Sequence, residues 1–335
     1  MAGWDRFSLF ALDGSTAYGE RVARRLEQPL AAHEERVFED GEGKIRPLAA
    51  LHGHHAFVIH SLHADGGQST SGQSTGGQSS NRQSTHDKLC RLLFFIAALR
   101  DAGAARVTAV TPYLCYARKD RRTQPQDPVT SRYVAQLFEA VGTDALMTID
   151  VHNQAAFQNA FRCVTDHLEA APLFLEHFAP LLRGQPAAVL SPDIGGVKRA
   201  EEFRRALAAR LGAEPTAAFV EKRRARGVVS GEQLVGEVAG RIVVMLDDMI
   251  STGGTLRRAA AAARAAGAAR IFAAATHGLF QGDPARLLGD PALDGIVVAD
   301  TVPPPDLPPE LAARLAVLDS SSLVAEAIIA HRGGV

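Results

Sequence analysis

The sequence predicts an α/β protein in which mostly parallel sheets are covered by helices. Short apolar, β-branched runs alternate with segments of about 10–15 residues that have helical periodicity. This alternation recurs in two successive blocks. Strands joined by helices of that length pair in parallel, so we expect two sheets with helices on their faces. The 335 residues fit two domains, which we place at residues 1–165 and 166–335.

The predicted elements follow from this alternation in chain order. In the first block we expect strands at 56–59, 106–110 and 145–149 and helices at 89–102 and 129–141. In the second block we expect strands at 188–190, 217–220, 241–246 and 270–275 and helices at 197–211 and 255–266. Three of these helices end next to a glycine, Gly103, Gly212 or Gly267, which is the residue that helix C-termini prefer.

Composition excludes several classes of function. The chain carries 36 basic and 37 acidic residues, so it has no overall positive charge to hold nucleic acid or an anionic membrane. Its three cysteines form no zinc-type pair, and we expect each to be a free, buried thiol in a reducing compartment. Residues 1–14 do not show the charged, then apolar, then small pattern expected of a signal peptide, and the longest apolar run, 92–99, is too short to span a membrane. We therefore expect a cytoplasmic protein.

Residues 66–85 differ from the rest of the chain because they form four pentads of Gly, Ser, Gln and Thr. Such residues bury too little apolar surface to offset the entropy of ordering. We expect a mobile surface insertion here. A short array of β-turns or a binding loop is the alternative.

Residues 247–255 read DDMISTGGT, between a predicted strand and a predicted helix. Ligands of open α/β sheets bind at this carboxyl edge. Glycines and backbone N–H groups at a helix N-terminus suit a phosphate, whereas Asp247 and Asp248 suit hydroxyls or Mg²⁺. A sugar phosphate satisfies both halves. The alternative is an acidic strand end followed by a Ser/Thr helix cap.

Two basic segments are candidates for phosphate binding. The first follows the strand at 106–110 and consists of Arg118, Lys119, Arg121 and Arg122. Arginine gives bidentate donors to phosphate oxygens, so this cluster suits a triphosphate. The second, KRRARG at 222–227, lies in a polar segment between two predicted strands. Either segment could instead be a solvated basic loop, and the first could form salt bridges between subunits.

Two further side chains lie at predicted strand ends. His152 follows the strand at 145–149, and Asp193 follows the strand at 188–190. A carboxylate at this edge fits Mg²⁺, which prefers phosphate oxygens and one or two carboxylates. A lone histidine is more often structural than metal-binding, and that alternative applies to His152.

The 247–255 segment resembles the phosphoribosyl-diphosphate loop shared by type I phosphoribosyltransferases and ribose-phosphate diphosphokinases. Other segments resemble the diphosphokinases, in the same order and at similar spacing from about residue 7 to about residue 332. They are 38–42 (FEDGE), 116–122 (YARKDRR), 148–152 (TIDVH), 191–199 (SPDIGGVKR), 222–224 (KRR) and 275–277 (ATH). The resemblance implies two similar phosphoribosyltransferase-like domains.

The resemblance also implies an activity: transfer of the diphosphoryl group of Mg-ATP to the 1-hydroxyl of D-ribose 5-phosphate, giving AMP and 5-phosphoribosyl 1-diphosphate. It implies Mg²⁺ as cofactor, no nucleic-acid or membrane partner, and a homo-oligomer, dimer or hexamer, in which a neighbouring subunit's 38–42 loop contacts the adenosine. It assigns ATP binding to Phe38, Asp40, Gly41, Glu42, Arg118, Lys119, Asp120 and Arg121. It assigns ribose 5-phosphate binding to Asp247, Asp248, Ser251, Thr252, Gly253, Gly254 and Thr255. It assigns metal binding to His152 and Asp193, and catalysis on a mobile flap to Lys222 and Arg224.

Three positions depart from the family pattern. Lys119 stands where a glutamine is usual, and Ser251 stands where an acidic residue is usual. Ala49 and His52 stand in 43–53, where the family has a Glu and an Arg, so the resemblance does not by itself imply a hexamer or control by ADP or phosphate. Two alternatives to the synthetase are a catalytically silent regulatory paralogue and a phosphoribosyltransferase.

Overall fold

The computed structural model describes residues 6–65, 83–225 and 228–332. These form two compact units. The first unit contains the described residues up to Glu169 and again from Ser320 onward, and the second contains Ala170–Asp319. The division at Glu169 lies close to the expected boundary after residue 165. The segment from Ser320, which the expected division placed in the second domain, belongs to the first unit.

Helices and strands alternate through both units. The elements up to residue 168 are β1 Phe7–Ala11, α1 Thr16–Arg25, β2 His33–Val37, β3 Gly43–Pro47, β4 His55–Ile59, α2 Thr85–Asp101, β5 Arg106–Thr111, α3 Thr130–Ala140, β6 Ala145–Ile149, α4 Gln154–Ala160 and β7 Val164–Leu168. They are followed by α5 Ala171–Leu182, β8 Ala187–Ser191, a 3-10 turn at Ile194–Gly196, α6 Val197–Leu211, β9 Thr216–Ala225, β10 Val228–Gly236, β11 Ile242–Ile250, α7 Gly254–Ala265, β12 Arg270–Gly278, α8 Pro284–Leu288, β13 Gly295–Ala299, α9 Pro309–Ala312, β14 Leu315–Leu318 and α10 Ser321–Arg332.

The sheet of the first unit is parallel throughout, in the order β1-β4-β5-β6-β7. Strands β4 and β6 are buried along their whole length, as strands covered on both faces must be. The core contains the rings of Phe10, Phe95 and Phe138. Strands β2 and β3 form a separate antiparallel hairpin.

The sheet of the second unit has the order β10-β9-β8-β11-β12-β13-β14 and is parallel except where β10 pairs with β9. Its strands β8, β11, β12, β13 and β14 repeat the order of β1, β4, β5, β6 and β7. In each unit a hairpin, β2–β3 or β9–β10, comes between the first two strands of this set. The predicted α/β class is confirmed, and the two units repeat one topology.

The C-terminal helix belongs to the first unit through named contacts. His331 Nε2 of α10 lies 2.8 Å from Asp166 Oδ2 of β7. Arg25 Nε of α1 donates to Ser321 Oγ at 2.9 Å. These polar contacts join elements far apart in sequence, so a single division of the chain near residue 165 cannot describe both units.

Helix α2 begins earlier than the sequence predicts. Ser84 caps it: the Ser84 hydroxyl accepts a hydrogen bond from the Asp87 amide at 3.2 Å, and the Asp87 carboxylate accepts from the Ser84 amide at 2.8 Å. This reciprocal pair is a capping box. Residues 83–85 of the predicted insertion therefore belong to the helix and its approach. The rest of it, 66–82, lies outside the described residues.

Buried charge holds the two ends of this insertion side by side. The Asp65 amide donates to the Gln83 carbonyl at 3.0 Å, and the Gln83 amide donates to the Asp65 carboxylate at 2.9 Å. The fully buried Lys88 ammonium lies 2.6 Å from the Asp65 carboxylate and 3.2 Å from His63 Nε2. Burial and the ammonium lower the pKa of His63 to about 4, so its neutral ring accepts from Lys88. We call the pairing of Asp65, Gln83 and Lys88 the clasp.

In the described ranges, no helix combines the length and apolar character that crossing a bilayer requires.

Candidate active site

The acidic pair lies on the part of β11 that extends beyond its neighbour β8. Pairing between β11 and β8 ends at Met245, whereas pairing with β12 continues to Ile250. Asp247 and Asp248 therefore stand within the strand, at the carboxyl edge of the sheet, and not after its end as the sequence predicts. Asp248 is 3% exposed and Asp247 is half-buried. Strand pairing on one side fixes both carboxylates where ligands of such sheets bind.

Burial controls the charge of this pair. Burial and the neighbouring Asp248 carboxylate raise the pKa of Asp247 to about 7, and the Arg199 guanidinium acts in the opposite direction. Arg199 Nη1 lies 3.4 Å from Asp248 Oδ1 and 3.6 Å from Asp247 Oδ1. Near neutral pH the pair therefore carries less than two full negative charges. A ligand hydroxyl or cation would shift it toward full ionisation.

A helix N-terminus without a side-chain cap follows the acidic pair. Gly253 occupies the N-cap position of α7 with φ +74°, and no side chain in the described part of the chain caps this end. The Gln281 amide donates to the Ser251 carbonyl at 2.9 Å, which fixes the start of the loop. The first amides of α7 are thus left for an anion, and the helix dipole favours one there. The approach to α7 and its first residues consist of Ser251, Thr252, Gly253, Gly254 and Thr255.

Asp193 follows β8 and caps the 3-10 turn. Its carboxylate accepts a hydrogen bond from the Gly196 amide at 3.1 Å, and the Ser191 hydroxyl donates to the Asp193 carbonyl at 2.6 Å. The Asp193 side chain is half-buried, so its carboxylate remains accessible to a ligand from solvent. A hard carboxylate oxygen of this kind fits Mg²⁺.

His152 is exposed and follows β6 in the first unit, whereas Asp193 is in the second. Within the described ranges, no group of three His, Cys, Asp or Glu side chains could by itself hold a metal ion. Phosphate oxygens of a substrate would have to complete the coordination of a metal at either side chain.

The first basic segment is a turn on the surface of the first unit. Arg118, Lys119 and Arg121 are exposed, and none of them pairs with an acidic residue in the described part of the chain. The Lys119 carbonyl accepts from the Ser131 amide at 3.2 Å, which ties the turn to α3. The Asp120 carboxylate accepts from Asn153 Nδ2 at 2.7 Å. The backbone is held while three cationic side chains stay available for phosphate.

Comparisons with known proteins match nearly the whole chain. Residues 7–142 match the model of the N-terminal domain of ribose phosphate pyrophosphokinase, and residues 226–333 match that of the phosphoribosyl synthetase-associated domain. A ribose-phosphate pyrophosphokinase of Pasteurella multocida is 37% identical over 96% of this chain and 94% of its own. The chain belongs to the ribose-phosphate pyrophosphokinase family. A Streptococcus pyogenes ribose-phosphate pyrophosphokinase 1 is 33% identical over 96% of this chain and 93% of its own.

A solved structure agrees with this family. The phosphoribosylpyrophosphate synthetase of Mycobacterium smegmatis matches with a TM-score of 0.83 at 30% identity, covering 98% of this chain and all of that chain. The fold is thus that of a ribose-phosphate pyrophosphokinase, with two phosphoribosyltransferase-like units.

The segment containing Phe38, Asp40, Gly41 and Glu42 is the tip of the β2–β3 hairpin. The Phe38 amide donates to the Glu42 carbonyl at 2.8 Å, and Gly41 has φ +88°, so the turn needs its glycine. The Phe38 ring is 40% exposed, and the Arg36 guanidinium lies 5.0 Å from its centre. The tip of the hairpin therefore presents an exposed aromatic ring beside a cation.

The second basic segment is part of a hairpin. Residues 222–227 lie outside the predicted strands, and a basic loop is one interpretation of them, but β9 continues to Ala225 and pairs with β10. Residues 226–227 lie outside the described part of the chain. Lys222 is opposite Glu232 and Arg224 is opposite Val229, with an irregularity between Val229 and Gly231. The loop assignment is wrong because this polar sequence lacks the apolar alternation by which strands are recognised. Lys222 and Arg224 are two positions apart in one extended strand.

Two arginines in the second unit were not among the predicted site residues. Arg199 pairs with both aspartates, and Arg258 Nη2 lies 3.4 Å from the Thr255 hydroxyl at the start of α7. Arg258 lies three residues after Thr255, and helical spacing from the loop could have indicated it. Nothing in the sequence indicates the contact of Arg199 with the aspartates, because Arg199 precedes them by 48 and 49 residues.

Proposed function

We propose that this chain is a ribose-phosphate diphosphokinase that forms 5-phosphoribosyl 1-diphosphate and AMP from Mg-ATP and D-ribose 5-phosphate. The observation that carries this proposal is the pairing of two adjacent carboxylates with a helix N-terminus that no described side chain caps. One half suits the hydroxyls of a sugar and the other its phosphate. Family membership over nearly the full chain supports the diphosphoryl donor chemistry.

In this proposal the chain positions substrates and neutralises charge. The loop containing Ser251 and Thr255 binds the 5-phosphate, and Asp247 and Asp248 accept hydrogen bonds from ribose hydroxyls. The 1-hydroxyl oxygen attacks the β-phosphorus of ATP and releases its proton to solvent. The bond between the β-phosphorus and the oxygen that bridges it to the α-phosphorus breaks, and that oxygen leaves with AMP. The protein forms no covalent intermediate, so positioning and charge stabilisation supply the rate.

Cations on both units support this transfer in the proposal. Arg118, Lys119 and Arg121 bind ATP oxygens, with Asp120 holding the turn. Lys222 and Arg224 stabilise negative charge on the transferred group as AMP leaves. Phe38 packs on the adenine, with Asp40, Gly41 and Glu42 beside it, supplied by a neighbouring copy in a homo-oligomer.

Mg²⁺ is the cofactor in this proposal. Asp193 and His152 would help to hold the ion, directly or through water, with phosphate oxygens completing its shell. When bound, Mg²⁺ neutralises charge on the transferring phosphates and orients them.

The test is AMP release from the purified chain with Mg-ATP and ribose 5-phosphate and no nucleobase. We expect one AMP for each 5-phosphoribosyl 1-diphosphate, and none when ribose 5-phosphate is omitted. The Asp247→Asn/Asp248→Asn double variant serves as the control for contaminating enzyme. A regulatory paralogue would release no AMP, and a phosphoribosyltransferase would consume 5-phosphoribosyl 1-diphosphate only with a base present.

A further inference from the structure

Arg199 links two parts of the second unit that the sequence keeps apart. It is the third residue of α6, which follows β8 and the Asp193 turn. Asp247 and Asp248 belong to β11, the strand next to β8. One nitrogen, Arg199 Nη1, lies within 3.6 Å of an oxygen of each carboxylate. A side chain of α6, the helix after β8, therefore holds the acidic pair of the neighbouring strand β11.

The contact is stabilising because of where the charges lie. Only 4% of the Asp248 side chain is exposed, against 31% of the Arg199 side chain. Two adjacent carboxylates at a buried edge repel each other, and a guanidinium in contact with both reduces that repulsion. The Asp247 side chain is 22% exposed, so a sugar hydroxyl can reach its carboxylate.

We propose that Arg199 is a positioning residue for the sugar: it holds Asp247 and Asp248 in the arrangement that accepts the ribose hydroxyls, without touching the 5-phosphate. This inference rests on the proposed function only for the identity of the sugar phosphate. It separates two tasks of the site, since phosphate recognition belongs to the loop at α7 and hydroxyl recognition belongs to the aspartates with Arg199.

The separation gives a binding test with two probes. Inorganic phosphate reports on phosphate recognition without the aspartates, whereas ribose 5-phosphate also engages the aspartates. For Arg199→Met we expect calorimetry to show ribose 5-phosphate affinity falling at least about tenfold, with phosphate affinity unchanged. Arg199→Lys should recover part of the loss, because an ammonium can still pair with one carboxylate. Arg205→Met is the matched control, since Arg205 is on the same helix and pairs only with Glu201 in the described part of the chain.

Kinetics distinguishes positioning from direct contact with ATP. We expect Arg199→Met to raise the KM for ribose 5-phosphate about as much as the dissociation constant, with the KM for ATP and kcat changed less than about threefold. A higher KM for ATP, a collapse of kcat alone, or unchanged ribose 5-phosphate affinity would overturn the proposal. If Arg199→Met does not fold, Arg199→Lys carries the same comparison at smaller amplitude. If the wild-type chain releases no AMP, the proposed function fails, and the binding arm still decides the role of Arg199.

Discussion

Leu287 occupies the space that a side chain at Gly253 would need. A Cβ atom built on Gly253 would meet Leu287 Cδ2 at 2.6 Å, and the backbone there has φ +74°. Leu287 is a buried residue of α8 and has little freedom to move. The loop at 251–255 therefore packs against Leu287, a residue of the hydrophobic core of its own unit.

We predict that Gly253→Ala weakens ribose 5-phosphate binding at least tenfold and lowers the free energy of unfolding by about 1–3 kcal/mol, from the clash and the left-handed backbone. Calorimetry and urea unfolding measure the two effects. Gly212→Ala is the matched control, because Gly212 has φ +66° with nothing within 4 Å of its Cβ position. An equal loss of unfolding free energy in Gly253→Ala and Gly212→Ala would show that the clash with Leu287 plays no part.

The acidic pair should make sugar binding depend on pH. Because the pKa of Asp247 is raised to about 7, it is protonated below that pH and its carboxylate accepts poorly from hydroxyls. We predict that the KM for ribose 5-phosphate rises as pH falls from 8 to 6. Asp247→Asn serves as the reference, since it retains only the titration of the substrate phosphate, near pH 6. Parallel pH profiles for both proteins would contradict the assignment.

The same group should affect stability in a defined direction. Between its ordinary pKa of 3.8 and the raised value of about 7, the folded chain holds a proton that the unfolded chain has released. The contribution of Asp247 to stability therefore decreases as pH rises through this interval. Thermal unfolding of wild type and Asp247→Asn at pH 5 and pH 8 measures it, and the variant should lose less stability across that step.

The second basic segment is predicted to act on turnover. Lys222→Ala should lower kcat by about 10²–10³, the usual effect of removing one donor to transition-state charge, with ribose 5-phosphate affinity little changed. Lys198→Ala is the control, since the Lys198 side chain is 89% exposed on α6. Unaltered turnover in Lys222→Ala would remove this lysine from the mechanism.

The clasp predicts which deletion the chain tolerates. Replacing residues 66–82 with a short Gly-Ser linker should leave folding and basal turnover nearly intact, because Asp65 and Gln83 are already joined. Deleting 66–85 instead also removes the Ser84 cap and should cost about 1 kcal/mol more. Urea unfolding and the AMP assay compare the two. Insoluble protein from the shorter deletion would show that the pentads are structural.

Local sequence signals predicted some of the buried parallel strands and helices, whereas β1, β13, α1, α5 and α10 were not among the predicted elements. The strand at 145–149 and the helix at 197–211 match β6 and α6 residue for residue, because apolar periodicity and the Gly212 cap define them. The β2–β3 hairpin, the part of β9 beyond Val220 and the whole of β10 were missed as strands, since their largely polar sequence shows no regular apolar alternation. Cys90 was expected to be buried and is exposed, because its face of α2 turns toward solvent.

The candidate site was predictable where it is contiguous in sequence. The acidic pair and the loop at 251–255 form one motif, and the fold places them together. Contacts that depend on tertiary structure, such as Arg199 with the aspartates or Leu287 behind Gly253, join residues more than thirty positions apart. No local pattern encodes them.

The two units start their corresponding helices, α2 and α7, differently. In α2 the amides at the N-terminus are bonded to Ser84 and Asp87, and the nearby Lys88 ammonium is neutralised by Asp65. In α7 the same position is a bare glycine. A repeated topology could have given two equivalent anion sites, one at the start of each helix. At the start of α2, however, the side chains of Ser84 and Asp87 already make the hydrogen bonds that an anion would make. The binding stoichiometry should therefore be one ribose 5-phosphate per chain. In the proposed function, the first unit binds the nucleotide instead.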